Sequence, residues 1–104
     1  MTHRASRIKW VLLIISVVAA HPANADITKG GQLAGQWCVN CHMIDSKRAD
    51  ALPQGPPSFP AIARSGKSAE QLRTFLSHPH GAMPDLALTR EEIDDLVGYI
   101  ETLR

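Results

Sequence analysis

Apolar residues recur at helical intervals in three stretches of the chain, and nowhere do they alternate as in a strand. The clearest stretch is the last. Ile93, Leu96, Val97, Ile100 and Leu103 form one continuous stripe, the spacing of a helix that buries a single face. Thr89-Arg90-Glu91-Glu92 precedes it as a capping box, with both acids where the helix dipole favours negative charge. A second helix is expected from Ser68, with Gln71 closing its capping box, Leu72, Phe75 and Leu76 on one face, and Pro79 ending it. A third, earlier in the chain, runs from about Thr28 to Cys38, although Gly30, Gly31 and Gly35 each lower its propensity. Between these, Pro53, Pro56, Pro57 and Pro60 exclude regular structure and leave room for one helical turn over Ala61 to Arg64. The fold class is all-α.

The first 25 residues follow another pattern. Arg4, Arg7 and Lys9 precede an apolar run from Trp10 to Ala20, and Ala23-Asn24-Ala25 supplies small residues in A-x-A order. This is the make-up of a secretory signal peptide cleaved after Ala25. The run is well short of the roughly 20 residues that span a bilayer. Residues 1–25 are therefore expected to be removed, leaving residues 26–104 as one periplasmic domain without stable membrane insertion. Removal changes the charge: the remaining 79 residues carry eight Lys/Arg and ten Asp/Glu, net −2, against +1 for the whole chain. No basic stripe remains for nucleic acid. So short a domain needs a staple or a cofactor. Its aromatics are only Trp37, Phe59, Phe75 and Tyr99, a deficit that a large apolar cofactor would fill.

The chemistry sits in Cys38-Val39-Asn40-Cys41-His42, the C-x-x-C-H signature of covalent haem attachment. Two thiols at this spacing can add across vinyl groups on neighbouring pyrrole rings. A histidine directly after the second anchor comes beneath the ring, where its imidazole can ligate iron. The rival readings fare worse. A disulfide suits an exported chain, but a redox dithiol needs a βαβ context that is missing. A structural zinc site wants four ligands, usually two such pairs. The expected cofactor is one haem c, attached through Cys38 and Cys41. For the sixth iron position there remain Met43, too close to His42 to reach the opposite face, and Met83. Pro84 favours extended backbone at Met83, which can lay its thioether across the ring, so His42 and Met83 are the expected ligands. His78 and His80 are read as solvated loop residues, with bis-histidine ligation as the alternative.

With these residues in view, the chain from Asp26 onward resembles a small class I monohaem cytochrome c of the bacterial exported type over nearly its whole length. Gly55-Pro56 resembles the family's Gly-Pro after the haem loop, which implies that the Pro56 carbonyl accepts from the proximal imidazole. Met83-Pro84 resembles the ligand loop. Gly30 and Tyr99 resemble the glycine and aromatic at which the terminal helices cross closely. Ala34 departs from the pattern, standing where the family usually has a crossing aromatic, and Trp37 on the next turn is the candidate to supply that bulk. The resemblance implies a cytochrome c fold of three to four helices around one covalent haem. It also implies a single-electron carrier cycling between ferric and ferrous states, not an enzyme, since a full coordination shell leaves no place for substrate. The implied partners are redox proteins (a dehydrogenase, oxidase or reductase), met as a monomer or as a subunit of a redox complex. The other class compatible with the motif is a haem-based catalyst or gas sensor with a labile sixth ligand.

Charge is unevenly spread. Lys47, Arg48, Arg64, Lys67 and Arg73 outnumber the acids around them, whereas Asp85, Glu91, Glu92, Asp94, Asp95 and Glu101 face only Arg90. Two readings stand side by side: a basic side that steers acidic partners, or loop solvation opposite acids on the outer face of the last helix.

Overall fold

Each helix among the described residues begins on a side chain that caps it. The computed structural model describes residues 24–46, 55–78 and 81–104, and within them lie α1 (Ile27–Trp37), α2 (Phe59–Arg64), α3 (Ala69–Ser77) and α4 (Arg90–Glu101), with no strand among the described residues. The apolar run of the leader, Lys47, Arg48, Pro53, Pro79 and His80 lie outside the described residues. Asp26 caps α1, its carboxylate accepting from the Lys29 N–H at 3.0 Å. Ser58 caps α2 from the Ala61 N–H at 3.2 Å, and Pro60 sits in the first turn, where its missing N–H costs nothing. Both expected capping boxes form: Ser68 with Gln71 on α3, and Thr89 with Glu92 on α4. α2 starts two residues before the single turn read from the sequence, because Ser58 supplies a cap.

α1 lies directly across α4. A Cβ at Gly30 would come within 2.6 Å of the Asp95 carbonyl carbon and 2.9 Å of the Tyr99 Cβ, so only glycine lets the two backbones approach this far. The expected glycine–aromatic crossing is present. Ala34 is 0% exposed, and Leu33 is buried with it. Trp37, however, is 52% exposed and does not supply the bulk that Ala34 lacks. It stands at the last position of α1, three residues beyond Ala34. The aromatic in the core is instead Phe59, 5% exposed, whose ring lies 5.6 Å from that of His42 and 6.4 Å from that of Tyr99.

α2 and α3 also pack on α4, whose Ile93, Leu96, Val97 and Ile100 are all buried. Arg73 of α3 is not merely loop solvation: its Nε meets the Asp94 carboxylate of α4 at 2.6 Å. Asp95 does not join the other acids on the outer face, since it is 2% exposed.

Candidate haem site

The C-x-x-C-H residues are shaped by the end of α1. Cys38 is its C-cap, donating to the Ala34 carbonyl, and the His42 N–H then donates to the Cys38 carbonyl at 2.9 Å. This extra turn sets Cys38 and His42 on the wall of one cleft, with Cys38 buried and Cys41 exposed. The two thiols are unpaired. Burial pushes the Cys38 thiol up from its ordinary value, opposite to the lowered pKa that disulfide exchange requires. Among the described residues no group of three or more His, Cys, Asp or Glu is gathered that could hold a metal.

The cleft has a volume of about 240 Å³ and opens to solvent. α2 contributes Ala61 and Ile62 to its lining, α3 contributes Leu72, Phe75 and Leu76, and α4 contributes Leu96 and Ile100. The face of α3 predicted from spacing is therefore the face turned to this cleft, which is why Phe75 is partly exposed. Met83 also lines the cleft, half-buried, from the loop before α4. Among its described lining residues, Ser65, Lys67 and the imidazole bring polar side chains into the cleft. Interiors are normally close-packed. An apolar cleft in so small a fold, with thiol, imidazole and thioether donors on its walls, fits haem in its chemistry.

His42 Nδ1 lies 2.7 Å from a backbone carbonyl, and that carbonyl belongs to Pro57, not to Pro56 as expected. Ser58 explains the offset of one residue. With Ser58 buried as the α2 cap and the Phe59 N–H bound to the Met43 carbonyl at 2.8 Å, Pro57 is the proline that lines the cleft, although both prolines are exposed. A carbonyl only accepts, so Nδ1 carries the proton and Nε2 keeps its lone pair for a metal. The same loop is held from a third side by the Tyr99 hydroxyl, which donates to the Ile44 carbonyl at 2.7 Å. Its phenol pKa is raised by burial and, secondarily, by the charge of Asp45.

His78 is elsewhere. It caps α3, its Nδ1 lies 3.3 Å from the Thr74 carbonyl, and it lines a separate polar groove with Glu70 and Arg73. Sequence reasoning missed Pro57, Phe59 and the buried Asp95. The first two carried a signal in Ser58-Phe59-Pro60, a cap followed by a first-turn proline; the third carried none.

A helical fold wrapped on an apolar cleft, with a C-x-x-C-H turn on its wall, defines a c-type cytochrome. Residues 25–100 match the family described as cytochrome c oxidase, cbb3-type, subunit III. Cytochrome c-552 of Bradyrhizobium diazoefficiens is 35% identical over 100 residues, covering 93% of this chain and 95% of that protein. No solved structure matches. The chain belongs to this cytochrome c family: it is a small monohaem c-type cytochrome, an electron carrier whose cofactor is covalent haem c. Its partners are redox proteins, and among the described residues no helix is long and apolar enough to cross a membrane.

Proposed function

We propose that this protein is exported to the periplasm, cleaved after Ala25, and carries single electrons without being an enzyme itself. Cys38 and Cys41 would hold haem through thioethers, and His42 Nε2 and Met83 Sδ would ligate its iron. Bound haem supplies the one-electron couple, and the protein supplies ligation, dielectric and docking. Cys38 and the Cys41 step anchor the ring edge, and Pro57 fixes the His42 tautomer. The leucines and isoleucines of α3 and α4 keep water from the cofactor, which together with histidine–methionine ligation favours the reduced state. The observation that carries this reading is that Cys38, His42 and Met83 line one apolar cleft while His78 turns to another groove. The family match beginning at residue 25 supports the processing site. Free shuttle and bound subunit are both served by the same chemistry, and the partners are a dehydrogenase, oxidase or reductase.

The test is spectroscopic. Ferric wild-type protein should show the weak far-red sulfur-to-iron band and, when reduced, should resist carbon monoxide. Met83→Ala should lose the band, bind carbon monoxide and fall in reduction potential, whereas His78→Ala should change none of these. Ready carbon monoxide binding by the wild type would replace the carrier reading with a sensor or catalyst. Loss of the sixth ligand in His78→Ala or His80→Ala would make the haem bis-histidine.

A further inference from the structure

Asp95 is out of place by every rule of the sequence. It lies mid-helix in α4, 2% exposed, at the crossing with α1. Its Oδ1 accepts from the backbone N of Asp26 at 2.7 Å, and its Oδ2 is buried with no hydrogen-bond partner. A buried carboxylate that satisfies only one oxygen, and that by a neutral amide, is expensive and demands a cation. No lysine, arginine or histidine approaches it within ion-pair distance among the described residues.

The atom it meets belongs to the residue that follows the proposed cleavage site. We infer that signal removal completes this site. Hydrolysis of the Ala25–Asp26 peptide bond consumes one water, leaves a carboxylate on Ala25, and converts the Asp26 amide nitrogen into a free α-amine. At neutral pH that amine is mostly protonated, its ordinary pKa being about 8. One N–H becomes three, and a formal positive charge appears at the buried carboxylate. The ammonium can then donate to Oδ1 and Oδ2 together. Asp95 is thus a receptor for the mature N terminus, and the inference rests on the processing reading given above.

The geometry around Asp26 makes this a placed contact and not a chance one. As N-cap of α1, Asp26 is fixed at its carbonyl, which accepts from the Gly30 N–H at 2.9 Å, and at its side chain, which accepts from Lys29 N–H. Its nitrogen therefore cannot wander from Asp95. Ala25 lies so close to α4 that a Cβ at Gly98 would stand 2.7 Å from the Ala25 Cβ. The scissile bond thus rests on the same helix, one turn from Asp95. Any residue retained before Asp26 keeps the nitrogen an amide and leaves Oδ2 alone.

Haem-loaded proteins with defined N termini test this. One set begins at Asp26. The other carries a serine inserted between Ala25 and Asp26, so that its product is one residue longer. Each is made with Asp95 and with Asp95→Asn, and urea unfolding is followed at neutral pH. The Asp26-first protein should have an unfolding constant at least tenfold smaller than the serine-extended protein, and Asp95→Asn should erase that difference. Acetylating the α-amine near neutral pH, where lysines stay protonated, should reproduce the extended protein's stability even if Asp95→Asn does not accumulate. Equal stability of the two termini, or insensitivity to acetylation, overturns the inference. Intact mass of the natural product is read separately. A terminus at any residue other than Asp26 overturns the processing reading and this inference with it, whereas a terminus at Asp26 without coupling to Asp95 overturns the inference alone.

Discussion

Two glycines of α1 should answer to the same substitution with opposite signs. Gly30→Ala places a methyl group within 2.6 Å of the Asp95 carbonyl carbon and 2.9 Å of the Tyr99 Cβ. Neither neighbour can turn aside, since one is helix backbone and the other is the first carbon of a side chain. Overpacking of this kind costs roughly 1–3 kcal/mol, at the upper end where backbone must move. Alanine's better helix propensity returns about 1 kcal/mol. Packing wins, and a net loss of about 1–2 kcal/mol follows. Gly35→Ala adds the same methyl where the nearest atom is the Ile44 Cδ1 at 4.0 Å, an ordinary contact. Propensity then acts alone and should stabilise by up to about 1 kcal/mol. For a domain of this size each kcal/mol moves Tm by roughly 4–8 °C, so thermal and urea unfolding of the two haem-loaded variants should diverge clearly. If Gly30→Ala gained stability alongside Gly35→Ala, the helices would not cross as closely as their geometry requires and the argument would fail.

Other outcomes follow from the site. Cys38→Ala and Cys41→Ala should each yield at most one thioether by pyridine haemochrome assay, with much less folded protein; a two-thioether spectrum from either would refute the attachment. Tyr99→Phe should cost roughly 0.5–1.5 kcal/mol at neutral pH through its lost bond to Ile44. Because burial raises the Tyr99 pKa in the folded state, wild-type stability from this group is whole below about pH 10 and is lost as pH rises from there through the folded-state value. Urea midpoints measured from neutral to alkaline pH should therefore fall less steeply in Tyr99→Phe, and parallel curves would count against the raised pKa.

Local rules made most of the elements legible. The capping boxes at Ser68 and Thr89, the stripe of α4 and the apolar face of α3 all depend on residues three or four apart, and all are present. The C-x-x-C-H turn is equally local. What escaped was set by packing between distant segments. Trp37 shared a helical spacing with Leu33, yet spacing alone does not say that the buried face ends at Ala34 and that Phe59 supplies the core aromatic. Asp95 resembled its acidic neighbours on the chain, and only the crossing with α1 buries it. The change from Pro56 to Pro57 has the same origin, since a Gly-Pro pattern cannot register a cap at Ser58 that rotates the next carbonyl into place.

That change bears on the redox function. A haem's reduction potential responds to the hydrogen bond on the proximal imidazole, so the stiffness of the acceptor matters as much as its identity. Here the acceptor loop is pinned twice directly after Pro57: by Ser58, which caps α2, and by the Phe59 amide on the Met43 carbonyl, one residue past His42. The histidine and its acceptor are thus tied to each other twice, once through the imidazole and once through backbone. Tyr99 adds a third tie at Ile44 from the helix that lines the cleft with Leu96 and Ile100. An electron carrier gains from such closure, because ligands that cannot reorient between oxidation states add little to the cost of moving the charge. A sensor with a labile ligand would place its freedom on the other side, at Met83, whose loop carries the Asp85 carboxylate accepting from the Ala87 N–H at 2.8 Å and Leu88 packed against the core. With the proximal side held by these three ties, variation in potential among engineered forms should come chiefly from exchange of Met83 itself.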